Sequence, residues 1–238
     1  MQINWQSASQ THTGNVRQLN EDAFLDCADQ QLWVVADGMG GHQAGDLASQ
    51  MIIDTLSDFR QTEHLGKNID SISGVIKTVN SRLIAMAQQR RAEIIGSTVA
   101  LFHAINRYGV CVWAGDSRIY RYRDGRLVQL TRDHTYNAEM DEQSIFLQHL
   151  PDWLVEDNVI TRAVGGHEDL NLDYQILEIR TADIYLLCSD GLTGEVSDEE
   201  LSEILSVSTL KKSMKLLFKL ATKREAKDNI TAILLKAL

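Results

Sequence analysis

An α+β fold is what this chain predicts, on three observations. Two apolar stripes at helical spacing come early and a third comes near the C-terminus. A long strand-rich stretch with short turns lies between them. Helix and strand signals therefore arrive in blocks and not in strict alternation, which favours layered helices and antiparallel sheets over βαβ units. The elements follow in order. DAFLD, from Asp22, and QLWVVAD, ending at Asp37, predict two strands on either side of a short turn. Ala44, Leu47, Ala48, Met51, Ile52, Thr55, Leu56 and Phe59 then recur at the spacing of one helix face, and Ile72, Val75, Ile76, Val79, Leu83 and Met86 mark a second helix. From Thr98 the period changes: TVALFHAI, YGVCVWAGD, RIYRYRDGRLVQL, YQILEIR and DIYLLCSD are rich in β-branched and aromatic residues. Asp124-Gly125 is a two-residue hairpin signal. Leu210, Met214, Leu217, Phe218 and Ala221 mark a C-terminal helix, and NITAILLKAL a closing strand. The one proline, Pro151, lies in a poorly periodic segment from about His134 to Asn158, expected as a surface insert. No linker, low-complexity tract or repeat interrupts the chain, so residues 1–238 read as one domain.

Composition excludes several function classes. With 44% hydrophobic residues among 238, the chain is long enough to bury a sizeable core. Cys27, Cys111 and Cys188 are odd in number, widely spaced and set in apolar runs, which predicts core thiols in a reducing compartment. The N-terminus lacks a basic region followed by an apolar core, and no run approaches the ~18 apolar residues of a membrane span, so a cytoplasmic protein is expected. A net charge of −10 argues against nucleic acid and against an anionic membrane surface as partners. Many of the carboxylates are instead expected to hold cations.

The acids sit in a pattern. Asp37 ends WVVAD and is followed by Gly38; Asp190 ends IYLLCSD and is followed by Gly191; Asp116 ends CVWAGD after Gly115. RQLNED brings Arg17, Glu21 and Asp22 to the start of a strand, and KDNIT brings Asp228 to the start of the last one. Carboxylates at several strand ends converge once sheets stack, and they repel unless cations or protons lie between them. Oxygen ligands without cysteine, and with no histidine pair at ligand spacing, select Mg²⁺ or Mn²⁺ over Zn²⁺. Gly38, Gly40, Gly41 and Gly45 around Asp37 imply that something approaches this backbone closely, and Gly38 frees a carbonyl to join a coordination shell. Singly, such acids are usually turn formers or helix caps, Arg17 a surface arginine paired with an acid such as Glu21, and His42 a polar residue at a helix start. The ordered set, with Glu21, outweighs those readings. Gly96, Ser97 and Thr98 lack a partner histidine and read as a turn before a buried strand.

The motifs NVRQLNEDA, VVADGMGGH, GST, WAGDSRIY, LTRDHT, TRAVG, LLCSDGL and DNITAIL, in that order from Arg17 to Leu234, resemble those of the metal-dependent protein phosphatase 2C family. The resemblance implies a four-layer α-β-β-α sandwich with two central antiparallel β-sheets and a binuclear Mn²⁺ or Mg²⁺ centre at one end. Carried over, Asp37 bridges the two metals, the Gly38 carbonyl binds the first, and Glu21, Asp190 and Asp228 help hold the second. Asp22 acts through waters or outer bonds. In the bacterial branch a third metal sits on Asp116, shared with Asp190. Arg17 grips the phosphate, a role suited to its planar donor fork. The implied reaction is hydrolysis of phosphoserine or phosphothreonine by direct attack of a metal-bridging water, with no phosphoenzyme. Animal members carry a histidine after the first glycine as general acid; here Met39 stands in that place, and His42, a water on the third metal, or His134 are the substitutes, in that order. The implied partners are phosphorylated proteins, the substrates of a serine/threonine kinase of the same cell, met by a monomeric enzyme. Some stand-alone bacterial members oppose such a kinase in controlling type VI secretion, and nothing in these residues selects that pathway. The insert from His134 to Asn158 corresponds to the family's flap, whose acids and Trp153 are expected to meet the substrate first. The alternative is a catalytically weak regulator that binds a phosphoprotein; the completeness of the acid set favours the enzyme. Almost no chain lies outside the motifs, so regulation is expected from partners or metal supply.

Overall fold

The computed structural model describes residues 3–40, 44–140, 159–206 and 209–238. Among the described residues, eleven strands and six α-helices follow in the order β1 (Trp5–His12), β2 (Asp22–Cys27), β3 (Leu32–Gly40), α1 (Ala44–Ser57), α2 (Leu65–Arg90), β4 (Ile95–Ser97), β5 (Val99–Ile105), β6 (Tyr108–Ala114), β7 (Arg118–Arg123), β8 (Arg126–Gln129), α3 (Tyr136–Met140), β9 (Asp173–Glu178), β10 (Ile184–Cys188), α4 (Asp190–Thr193), α5 (Asp198–Ser206), α6 (Leu210–Lys223) and β11 (Ile230–Ala237). One sheet has the order β1-β11-β10-β7-β8, the other β2-β3-β5-β6-β9 with β4 beside β3, and every pairing is antiparallel.

The apolar runs are explained by burial of both faces of the central strands. Along β3, Leu32, Val34 and Ala36 pack under α1 and α2, whereas Trp33 and Val35 face the other sheet. Along β11, Ile230, Ala232 and Leu234 pack under α5 and α6, whereas Ile233 and Leu235 face inward. Three cores thus separate four layers, helices outside and sheets within, as the resemblance implies. Between the sheets Phe102 stacks on Tyr185 at 4.5 Å, and Trp5 meets Trp33 at 5.1 Å. The hairpin signal holds as well: Asp124 and Gly125 have φ of 50° and 78°, the two positive values such a tight turn requires.

Short elements β4, α3, α4 and α5 were not marked in the sequence, and strands β1 and β3 also differ from the sequence reading. Strand β1 pairs with β11 along Trp5–His12, yet it is polar and half-exposed at a sheet edge, so it carries no apolar pattern. Strand β3 does not end at Asp37; it runs on to Gly40 by pairing with β4, and Asp37 lies inside it. Of the predicted core thiols, Cys111 and Cys188 are buried while Cys27 is partly exposed, and all three are free. Among the described residues no helix is long and apolar enough to cross a membrane. Most of the predicted insert, residues 141–158 with Pro151 and Trp153, lies outside the described residues.

Candidate metal centre

The antiparallel register of β2 and β3 sets Asp22 directly opposite Asp37, a like-charge cross-strand pair that is unfavourable by itself. The other sheet brings Asp190, at the start of α4 beyond β10, and Asp228, just before β11. Hydrogen bonds stitch the two sheets together here. Asn229 Oδ1 accepts the Glu21 N–H at 2.7 Å, and Ser189 donates to Asp22 Oδ2 at 2.8 Å while accepting the Thr231 N–H at 3.0 Å. Asn229 also donates to the carbonyls of Thr13 and Leu19, which flank the loop bearing Arg17. Asn229 was marked in the sequence beside Asp228 in KDNIT, whereas Ser189 lies within the LLCSDGL motif and only its acidic neighbour was singled out.

The glycines have a more local reason than metal approach alone. A Cβ on Gly38 would lie 2.0 Å from the Gly45 carbonyl oxygen and 2.6 Å from that of Glu21, and a Cβ on Gly45 would lie 2.6 Å from Glu21 Oε1. The start of α1 therefore rests directly on β3, with the Glu21 carboxylate against it. Asp37 itself is held by Thr98, whose hydroxyl accepts the Asp37 N–H at 3.0 Å and whose N–H donates to the Asp37 carbonyl at 2.8 Å.

The electrostatics are those of carboxylates without enough cations. Asp37 keeps some accessible surface, as a group that receives an ion must, yet it lies in a densely packed cleft. Burial first, then repulsion from Asp22, Asp190, Asp116 and Asp228, holds its carboxyl well above the usual range. Asp22 is pushed up to about 7 by burial, against the bonds from Thr231 and Ser189. Asp116 is pushed up to about 7 by burial and by Asp190. Asp190 is raised by burial and by Asp228, while hydrogen bonds with Asp37 and the Gly191 N–H oppose the rise. Asp22 Oδ1 is buried with no hydrogen-bond partner, a costly state that a bound cation relieves.

Of the nearby arginines, one pairs with an acid of the cluster and the other with an acid outside it. Arg17 Nη2 donates to Asp228 Oδ2 at 2.6 Å, which is the surface pairing weighed for it, with Asp228 in place of Glu21. Arg118 donates three bonds to Asp133 at 2.7–3.0 Å. Among the described residues, no three histidine, cysteine or acidic side chains are gathered tightly enough to enclose an ion as they stand. The acids lie near one another without enclosing an ion, and Asp228 is paired with Arg17. An all-oxygen donor set, an unpartnered buried carboxylate oxygen and mutual repulsion fit hard divalent cations.

Met39 lies in β3 opposite Gly96, and His42 lies outside the described residues. His134 is 2% exposed; its Nδ1 accepts the Gly115 N–H at 3.2 Å and its Nε2 lies 3.1 Å from Asp173 Oδ2, a holding geometry and not that of a proton donor to a leaving group.

A family model for protein phosphatase 2C matches residues 9–235. The serine/threonine protein phosphatase PstP of Mycobacterium tuberculosis is 35% identical over 228 residues, covering 95% of this chain and 44% of the relative. The chain thus spans less than half the length of that relative. The serine/threonine phosphatase stp of Listeria monocytogenes is 34% identical over 236 residues, covering 95% of this chain and 93% of the relative. Among solved structures, PppA, a regulatory component of the T6SS in Pseudomonas aeruginosa, superposes with a TM-score of 0.91 at 42% identity over 98% of both chains. The catalytic domain of PstP in complex with two manganese ions superposes with a TM-score of 0.86 at 31% identity over 99% of both chains.

Proposed function

The chain belongs to the protein phosphatase 2C family, and on that premise we propose that it is a metal-dependent serine/threonine protein phosphatase acting on phosphoserine and phosphothreonine in other proteins. The observation that carries this reading is Asp37, a carboxylate in a packed cleft whose neighbours are further carboxylates, with one oxygen of Asp22 left unpartnered. Asp37 and the Gly38 carbonyl are the proposed central ligands, Glu21, Asp190 and Asp228 hold the second ion, Asp22 supports them, and Asp116 with Asp190 is the site of a third. Two Mn²⁺ or Mg²⁺ ions, when bound, supply an acidified water and offset the charge on the phosphoryl oxygens. The manganese of the PstP structure supports that choice of ion.

Arg17 is the proposed phosphate grip. Its bond to Asp228 is exposed and so cheaply exchanged for a phosphate, whose geometry suits the guanidinium fork. His42 remains the proposed general acid, since the hydrogen bonds of His134 commit its ring elsewhere. We further take residues 1–238 as one catalytic domain, a monomer acting in the cytoplasm on the products of a serine/threonine kinase of the same cell. Three free thiols and a net charge of −10 support that setting. The likeness to PppA supports a regulatory role among phosphoproteins, of which a secretion-system component is one candidate substrate.

The test is Mn²⁺-dependent phosphate release from a phosphothreonine peptide, with the wild type and Asp37→Asn in the same metal titration. Turnover that requires metal and is lost in the variant is expected. Bound metal without turnover in either protein would replace the enzyme with a phosphoprotein-binding regulator.

A further inference from the structure

We infer that His134 is a positioning residue that pins the chain on both sides of residues 141–158 to the turn carrying Asp116, and so sets where that carboxylate stands. The consequence for metal rests on the phosphatase reading of Asp116; the pin itself does not. Four pieces of chain meet at this residue. Its N–H donates to the Gly115 carbonyl at 2.9 Å and its carbonyl accepts the Thr161 N–H at 2.9 Å. Its Nδ1 accepts the Gly115 N–H at 3.2 Å, and its Nε2 meets Asp173 Oδ2 at 3.1 Å at the start of β9. Asp173 Oδ1 in turn accepts from Arg162 Nη1 at 3.1 Å.

The proton follows from the donors. A backbone N–H can only donate, so Nδ1 is the acceptor and the proton is on Nε2, which gives it to Asp173. Arg162 Nη1 and His134 Nε2, 3.4 Å apart, are then two donors sharing one carboxylate. The ring lies nearly parallel to Trp113, with centroids 6.1 Å apart and planes at 14°, and Trp113 donates to the Arg132 carbonyl at 2.8 Å, fixing the approach of the loop.

The gripped turn is the one that matters for the site. Gly115 has a φ of +109°, and a Cβ there would lie 2.6 Å from the Thr98 side chain. Thr98 bonds the Asp37 backbone on both sides and shares a 2.7 Å hydrogen bond with Ser117. Holding Gly115 by both its N–H and its carbonyl therefore fixes Asp116 relative to Asp37. Arg118, clamped on Asp133, is a second tie between the same two segments but does not reach the Gly115 peptide groups. A merely satisfied core histidine would lose stability on substitution without a pattern in which arm of the ring was removed.

Two variants separate the arms of the ring. His134→Asn keeps a short acceptor at the place of Nδ1 and loses the reach to Asp173; His134→Gln reaches toward Asp173 and loses the acceptor for Gly115. Amide exchange at Gly115, measured without metal on the full chain, is expected to quicken by about fivefold to tenfold in His134→Gln and to change by less than about threefold in His134→Asn. Equal exchange in the two variants overturns the pin. Calorimetric titration with Mn²⁺ alone tests the consequence. The weakest Mn²⁺ site is expected to lose about tenfold in affinity in His134→Gln, and the loss should vanish in an Asp116→Asn background. A loss of the same size in both backgrounds overturns the route through Asp116. If the wild type binds no Mn²⁺, the phosphatase reading falls, while exchange at Gly115 still decides the pin.

Discussion

Strand β10 has an aspartate just outside each end, and the protein treats the two in opposite ways. Asp183 is 1% exposed and saturated with donors: Arg123 Nε and Nη2 each at 2.6 Å, the Arg180 N–H at 2.7 Å and the Tyr185 hydroxyl at 3.1 Å. Asp190, seven positions further on, has Asp228 as its main repelling neighbour, and a hydrogen bond with Asp37, followed by the Gly191 N–H, as its relief. Asp183 is the more deeply buried of the two, so burial alone does not mark a site. What differs is whether the fold supplies the countercharge. Where it does, the carboxylate is architecture; where it withholds it, something from solution is required.

Neutralising one acid of each kind, the repelled Asp37 of the same cluster as Asp190 and the saturated Asp183, should therefore have opposite signs. Asp37→Asn removes a ligand and is expected to lower metal-dependent turnover by roughly a thousandfold or more. In metal-free buffer the same variant should melt higher than the wild type, because a repelled charge has gone. Asp183→Asn should do the reverse, costing about 2–3 kcal/mol by leaving the partly buried Arg123 half-paired. Phosphate release below its melting transition should be unchanged. Equal destabilisation by both, in thermal melts without metal, would erase the contrast.

The contrast also predicts a pH dependence. Asp22 and Asp116 rise from an ordinary 3.8 to about 7 in the folded state, so between those values the folded protein holds protons that the unfolded chain has released. Their contribution to stability is full below about pH 4, is lost as pH rises, and levels off above about 7. Metal-free protein should melt roughly 5 °C or more lower at pH 8 than at pH 5, on the order of 2 kcal/mol. Saturating Mn²⁺ should remove that decline, since the cation replaces the protons, and Mn²⁺ affinity should weaken below about pH 7. A metal-free melting temperature that rises across this range would contradict the assigned shifts.

How much of this was legible in the sequence follows from range. The acids were readable because each stands beside glycine, or opens a strand, at the edge of an apolar run, as with Asp37-Gly38 and Asp190-Gly191. Strands β3, β10 and β11 were readable because burial on both faces removes polar residues from them. Strand β1 was not, since an edge strand half in solvent needs no such pattern. Nor did the sequence disclose that Gly38 and Gly45 face one another across a helix and a strand, or that Asp183 is spoken for by Arg123, sixty residues earlier. The group made by Gly115, His134, Arg162 and Asp173 joins the ends of two sheet strands to both sides of an insert, and the pairing of β6 with β9 and the backbone bonds of His134 to Gly115 and Thr161 bring it together. Local pattern marks where a chain lacks countercharge; it does not mark which distant residues supply it.

The smallest expected effect concerns Arg17, the cation paired with Asp228 of the acid cluster. Arg17 and Asp228 are joined across 211 positions of sequence, yet their side chains are 52% and 39% exposed. An ion pair so placed contributes less than about 1 kcal/mol, because solvent screens it and two side chains must be held still. Arg17→Ala should then leave the melting temperature within about 2 °C of the wild type. If Arg17 serves the phosphate, its loss should instead raise KM for a phosphothreonine peptide by about tenfold, with a smaller change in kcat. Freed of its partner, Asp228 should bind Mn²⁺ at least as well as before. A variant that loses stability while keeping KM would make Arg17 a structural clamp, and would move it from the class of Asp190 to that of Asp183.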